Sequence, residues 1–375
     1  METKKIIFLT GTRADFGKIK SLITILEGQK EFEVHVFVTG MHLMKTYGYT
    51  LLEIERCGFK NINTFENYTS ETSMELTLAK TIEGFSQYVK KTRPDLIVVH
   101  GDRVETLAGA ITGSLNNILV AHIEGGEISG TVDELIRHSV TKMSHIHFVA
   151  NDTARNRLIQ MGEVPESIFK IGSPDVDIMF SDTLPLLTEA KAYYEIEFPV
   201  YAMAMFHPVT TEASQMKEYA TNFIEALIQS KQQYVVIYPN NDMGSSAILA
   251  AYDRIKANKH FRVFPSLRFE YFLTLLKHAR FIIGNSSAGI REAPYYGVPT
   301  INIGTRQENR ALHAHIVNTS YEKTDIIKAI ESDLQTGTSH ANEFGSGNSA
   351  KTFLSCLKTN TFWNINAQKQ FLDRL

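Results

Sequence analysis

Apolar residues in this chain fall into short, nearly continuous runs separated by longer stretches of helical period. KKIIFLTG, EVHVFVTG, DLIVVHGD, ILVAHIEGG and IHFVAND occupy the first half, and YAMAMFHP, YVVIYPNND, ARFIIGNSS and VPTINIGTR the second. Runs that are apolar on both faces and alternate with helices predict buried parallel strands. After the first run, Ile19, Leu22, Ile23 and Leu26 share one face of an amphipathic helix. Two such series predict an α/β protein of two Rossmann-like, doubly wound domains with a ligand site in the cleft between them.

At 375 residues the chain exceeds what one core usually holds. The Gly, Ser and Pro of IGSPDVD, Gly172 to Asp177, place the change of domain there. The expected division is 1–173, 174–353, and a helical end at 354–375 that packs back on the first domain. The polar stretch Thr336 to Ser349 reads as a loose connection, and IGSPDVD as a hinge.

Composition narrows the classes. Hydrophobic residues make up 43% and charged residues 21%, as in a folded globular protein. A net charge of -3 and a pI near 6.5 provide no field for nucleic acid. No stretch reaches the roughly 18 apolar residues a membrane span needs, and no signal peptide precedes the first strand. A cytoplasmic protein is expected. Cys57 and Cys356 lack metal-type spacing and read as reduced and structural.

In open parallel sheets ligands bind beyond the carboxyl ends of the strands. Those ends here carry Gly11-Thr12-Arg13, His100-Gly101-Asp102, His122-Ile123-Glu124-Gly125-Gly126, His207-Pro208, Asn240-Asn241-Asp242, Asn285-Ser286-Ser287 and Gly304-Thr305-Arg306. Neither dinucleotide nor P-loop glycine patterns occur. GNSSAGIRE sets small residues before a helix whose N–H groups suit a phosphate, though Ser286 or Ser287 also fits as a helix cap. Glu292, one turn on, is a ribose-binding candidate or a first-turn acid. Asp102, followed by Glu105, and Asp133, within Thr131-Val132-Asp133-Glu134, fit helix caps. Glu124 resists that account: it ends an apolar strand just before two glycines, so it is a candidate acid or base.

Taken together, GTRADFGK at 11–18, VTGMHLMKTYG at 38–48, HGDR at 100–103, HIEGGEISGTVDELIRH at 122–138, MFHPVTTE at 205–212, YPNND at 238–242, FPSLRFEYF at 264–272, GNSSAGIREAP and GTRQENR at 304–310 resemble the hydrolysing UDP-N-acetylglucosamine 2-epimerases of bacterial sialic acid and capsule synthesis. The resemblance runs from Lys5 to the carboxyl terminus. It implies the twin-Rossmann fold of GT-B glycosyltransferases, no cofactor, no metal, and UDP-N-acetylglucosamine and UDP as ligands. A homodimer or homotetramer is the implied assembly. By matching position, Asp102, Glu124, Asp133 and His207 would be catalytic, and Arg13, Lys18, Asn240, Ser286, Ser287, Glu292 and Arg306 would bind substrate. Non-hydrolysing relatives carry glutamine where this chain has Met41 in Val38-Thr39-Gly40-Met41-His42, which favours the hydrolysing branch. The implied reaction releases UDP through a 2-acetamidoglucal and hydrates it to N-acetylmannosamine, the entry to sialic acid synthesis. A UDP-N,N'-diacetylbacillosamine 2-epimerase, a GT-B glycosyltransferase and a non-catalytic nucleotide-sugar sensor are the alternatives.

Overall fold

The computed structural model describes residues 3–68, 73–129, 131–307, 315–334 and 343–373. Part of the polar stretch 336–349 and the end of GTRQENR lie outside the described residues. Among those described, no helix is long and apolar enough to cross a membrane.

The chain divides into two compact units. The first contains the residues up to Glu127, Asp133–Ser181 and everything from Glu343 onward; the second contains Ile128–Val132 and Asp182–Asn342. The boundary therefore lies beyond IGSPDVD, and the return to the first unit begins before 354. Polar ties explain the difference. Pro174–Met179 is helical, and the Asp177 carboxylate accepts the backbone N–H groups of Ser349 (2.8 Å) and Ala350 (2.7 Å). It thus caps the helix Ser349–Leu357. Ser173 N–H donates to the Phe344 carbonyl at 2.6 Å. IGSPDVD is bonded framework of the first unit and not its edge.

Among the described residues, the first unit holds seven parallel strands: β1 (Lys4–Thr10), β2 (Phe32–Val38), β3 (Asn61–Thr64), β4 (Leu96–His100), β5 (Leu119–Ile123), β6 (Ile146–Val149) and β7 (Ile168–Lys170), in the order β3-β2-β1-β4-β5-β6-β7. Six more form the second sheet: β8 (Ala202–Met205), β9 (Tyr234–Ile237), β10 (Phe261–Phe264), β11 (Ile282–Gly284), β12 (Thr300–Ile303) and β13 (Ile316–Thr319), in the order β10-β9-β8-β11-β12-β13. Each is a Rossmann-type order whose direction reverses at the first strand, opening a crevice between β1 and β4, and between β8 and β11.

The apolar face of helix Arg13–Glu27 packs where its periodicity predicts, with Ile19, Leu22, Ile23 and Leu26 all buried. The returning carboxyl end completes this core. Phe353 meets Phe148 at 4.8 Å and Phe8 at 6.3 Å between ring centroids, and Lys369 Nζ donates to the carbonyls of Thr141 (2.9 Å) and Ser144 (2.6 Å). In the second unit Phe206 stacks on Phe223 at 4.9 Å under β8. The β8–β11 crevice depends on Gly284: its φ is +133°, and a Cβ there would stand 1.9 Å from the Met205 carbonyl oxygen. Only glycine lets the two strand ends lie this close.

Candidate active site

In the first unit, β4 and β5 end side by side and turn immediately. Gly101 N–H continues the ladder to the Ile123 carbonyl at 3.0 Å, and Glu124 N–H to that of Phe148 at 2.9 Å. Glu124 then adopts φ +64°, a left-handed conformation that costs a non-glycine residue about 1 kcal/mol or more. That turn sets its carboxylate, 3% exposed, into a cluster of donors. Ser173 Oγ donates to Oε1, His100 Nε2 lies 3.2 Å from Oε2, and Lys18 Nζ lies 3.5 Å from Oε2 and 3.4 Å from Asp175 Oδ2. A backbone held off its preferred conformation by this many partners marks a functional position better than a packing one.

Arg137 joins Asp102 to this cluster. From helix Val132–Met143 its Nη1 donates to the Glu124 carbonyl at 2.7 Å, while Nη2 pairs with the Asp102 carboxylate. Asp133 sits one helical turn ahead of Arg137 on the same face, in the first turn of that helix. Asp102 is not a helix cap: the N-cap of Val104–Leu115 is Arg103, with no side-chain cap bond, and the Asp102 carboxylate is spent on Arg137. A guanidinium with two anchoring points competes better for a carboxylate than one backbone N–H does.

Beneath these residues lie two buried histidines. His122 Nε2 donates to the Gly101 carbonyl at 2.8 Å and its Nδ1 meets Thr141 Oγ1 at 3.1 Å, fixing the turn that carries Asp102. His42 Nε2 stands 3.0 Å from Thr10 Oγ1, and Thr10 in turn donates to Asp15. Asp15 also accepts from Gly11 N–H at 3.0 Å and completes a capping box with Thr12, which fixes the start of the helix led by Arg13. Burial raises the Asp15 carboxyl, against the opposing effect of these donors.

Burial pushes both His42 and His122 down to about 3, so each is neutral at pH 7. Their ordinary value is near 6.5. Between those limits the unfolded chain binds protons that the folded one refuses, so stability falls as pH drops below about 6.5, by about 1.4 kcal/mol per pH unit for each histidine. Urea midpoints measured from pH 7 to 5 should fall less steeply in His122→Gln and His42→Gln than in the wild type. Equal slopes would mean that these rings titrate normally in the fold.

In the second unit, Asn285, fully buried just after β11, organises the strand ends. Its Oδ1 accepts His207 N–H at 2.6 Å and its Nδ2 donates to the His207 carbonyl at 2.8 Å. Its own carbonyl accepts from Arg306 Nη1 at 3.1 Å and Gln307 Nε2 at 3.0 Å. His207 Nδ1 accepts Asn240 N–H at 3.0 Å, which leaves the proton of the neutral ring on Nε2. The Asn240 side chain donates to Asp242. His207, Asn240 and Arg306 are thereby gathered around one side chain.

GNSSAG departs from expectation. The helix after it, Ala288–Arg291, has four residues, with Ser287 at its N-cap making no side-chain cap bond. Ser286 Oγ instead accepts Ala288 N–H at 3.3 Å. Glu292 closes that turn and leads into the 3-10 turn Ala293–Tyr296; it is buried and is not a first-turn acid. So short a helix has little dipole to offer.

His100, Arg137, Ser173, Asp175 and Asn285 were not among the predicted site residues. Asn285 and His100 do stand at strand ends, and Arg137 lies four residues beyond Asp133.

Two Rossmann-type sheets, one ending in acids and the other in amide, imidazole and guanidinium groups, define an α/β protein of two doubly wound units with candidate polar sites at the strand ends of each. Residues 24–358 match the family model described as UDP-N-acetylglucosamine 2-epimerase. Over 374 residues, 99% of each chain, the protein is 49% identical to the UDP-N-acetylglucosamine 2-epimerase of Neisseria meningitidis serogroup B. It is 31% identical to the UDP-N,N'-diacetylbacillosamine 2-epimerase (hydrolyzing) of Legionella pneumophila, over 95% of this chain and 96% of that one. Among solved structures, UDP-GlcNAc 2-epimerase from Methanocaldococcus jannaschii superposes with a TM-score of 0.81 at 23% identity, covering 94% of this chain and 99% of the other. The chain belongs to the UDP-N-acetylglucosamine 2-epimerase family.

Proposed function

We propose that this enzyme hydrolyses UDP-N-acetylglucosamine with inversion at C2, giving UDP and N-acetylmannosamine, and so supplies the first step of sialic acid synthesis. The observation that carries the reading is Glu124, turned through a left-handed backbone into contact with Lys18, His100 and Ser173 while Arg137 links it to Asp102. The C2 hydrogen of the sugar is a poor acid. As the C1–O bond to UDP breaks, positive character at C1 acidifies it, and a carboxylate removes it to leave the glycal. Return of a proton to C2 from the other face, with water adding at C1, requires a second proton-transfer group. Asp102, Glu124 and Asp133 supply the carboxylates for these steps.

Charge developing on UDP needs donors held in place beforehand. His207 with its Nε2 proton, Arg306, Asn240 and the serines after Asn285 serve that role in this reading; in the first unit, Arg13 and Lys18 are the substrate-binding candidates. The hydrolytic outcome is supported by the relative whose name states it, and by Met41 in place of the glutamine of the non-hydrolysing branch. Identity of 49% against 31% favours the N-acetylglucosamine sugar over the diacetamido one.

The test is UDP release from each of the two nucleotide sugars by wild type, Glu124→Gln and Asp102→Asn. The expected result is a preference for UDP-N-acetylglucosamine and a loss of at least about a hundredfold in kcat for both variants. Full activity in Glu124→Gln would remove the basis of the assignment.

A further inference from the structure

We propose that His100 is a positioning residue for Glu124: it presents an N–H to that carboxylate and keeps it ionised, ready to act as a base, which rests on the function proposed above for the identity of the reaction alone. The register of β4 and β5 sets His100 opposite Ile123, so that the ring lies beside the residue that follows. His100 is 7% exposed, and its carbonyl is held by the Thr106 hydroxyl at 2.8 Å. Its Nε2 is 3.2 Å from Glu124 Oε2 but outside hydrogen-bond alignment, so neither Nδ1 nor Nε2 has a hydrogen-bond partner among the described residues, and the Glu124 carboxylate is an acceptor within reach of Nε2.

A neutral imidazole carries a single N–H. On Nδ1 that proton would be a buried donor without an acceptor, and the Nε2 lone pair would face a carboxylate. On Nε2 the proton lies on the ring edge beside the carboxylate, where a small turn of either group aligns the two, so both the neutral and the doubly protonated ring can present N–H to Glu124. The neighbouring His122 makes the contrast: its two nitrogens are taken up by Gly101 and Thr141, as befits a structural histidine. His100 has neither nitrogen matched and holds Nε2 against the Glu124 carboxylate, an arrangement that packing alone does not require.

Other groups act on the same carboxylate. Lys18 approaches from helix Arg13–Glu27, with Asp175 Oδ2 3.4 Å from its ammonium offsetting part of the charge. Ser173 donates to Oε1, and Arg137 holds the main-chain carbonyl while pairing with Asp102. Asp15 and His122 are further titratable neighbours of His100. Against that background, loss of His100 removes one N–H from the surroundings of the carboxylate.

The experiment follows Glu124 itself by carbon NMR of full-length enzyme labelled at the glutamate carboxyls, its signal assigned with Glu124→Gln. His100→Leu is expected to raise the midpoint by about one pH unit. His100→Asn, too short to reach, should do the same without burying an apolar group, and His100→Gln, which keeps a donor at similar reach, should stay within about half of that shift. With UDP-N-acetylglucosamine, the acidic limb of kcat/KM should move in step, with kcat down about tenfold to a hundredfold and KM within about threefold. A Glu124 titration identical in wild type, His100→Leu and His100→Asn overturns the proposal. Shifted titrations in a protein that never turns over UDP-N-acetylglucosamine would support the role of His100 and defeat the functional reading instead.

Discussion

Replacing Arg137 with methionine is expected to lower kcat about a thousandfold, more than any other single change outside the carboxylates themselves. One guanidinium holds the Glu124 carbonyl at 2.7 Å and the Asp102 carboxylate, so its loss frees two of the acids at once. Asp102 would lose this partner; because it retains some solvent contact, the folding cost should lie near the low end for a broken buried pair, about 3 kcal/mol. Arg137→Lys should recover little, since a point charge cannot serve a carbonyl and a carboxylate in two fixed directions. Initial rates of UDP release, with urea denaturation alongside, separate the two effects. A kcat within tenfold of wild type would mean that Asp102 and Glu124 hold their positions by other means.

The second large effect is expected at Asn285. Its side chain closes a two-bond ring with the backbone of His207, at 2.6 and 2.8 Å, with no exposure to solvent. Asn285→Leu leaves a buried N–H and a buried carbonyl unmet, at about 1–3 kcal/mol for each. The same bonds hold the main chain on which His207 meets Asn240 and Arg306 meets the Asn285 carbonyl. Affinity for UDP should therefore drop at least about tenfold, by loss of preorganisation and without removal of any ligand contact. Calorimetric titration with UDP and chemical denaturation measure both. Wild-type UDP affinity in a destabilised Asn285→Leu protein would show that the nucleotide does not depend on this arrangement.

The central strands were legible in the sequence and the edge strands were not. All nine apolar runs are strands, whereas β3, β7, β10 and β13 were missed, and these four are the two edges of each sheet. Asn61–Thr64 and Ile316–Thr319 have one side to solvent and no continuous apolar pattern, so periodicity cannot detect them. Punctuation misled in a similar way at IGSPDVD. Glycine and proline do mark a turn there, but the division of units depends on what Ser173, Asp175 and Asp177 bind, and those partners lie far along the chain.

The candidate site divides along the same line. Glu124 stood out because an acid that ends an apolar strand has no local use, and the structure surrounds it with donors. Asp102 had a plausible local use as a cap, which Arg137 overrides from 35 residues away. Arg137 itself looked like an ordinary charge on an amphipathic helix, and Asn285 like one polar residue among several. Their importance comes from reaching several strand ends at once, and nothing within a few residues of either encodes that.

Proton NMR of the purified enzyme acting on UDP-N-acetylglucosamine in deuterated water tests the central claim most directly. Free UDP and N-acetylmannosamine carrying deuterium at C2 are predicted, with both suppressed in Glu124→Gln. Intact nucleotide sugar, or release of undeuterated N-acetylglucosamine, would contradict hydrolytic epimerisation through loss of the C2 proton.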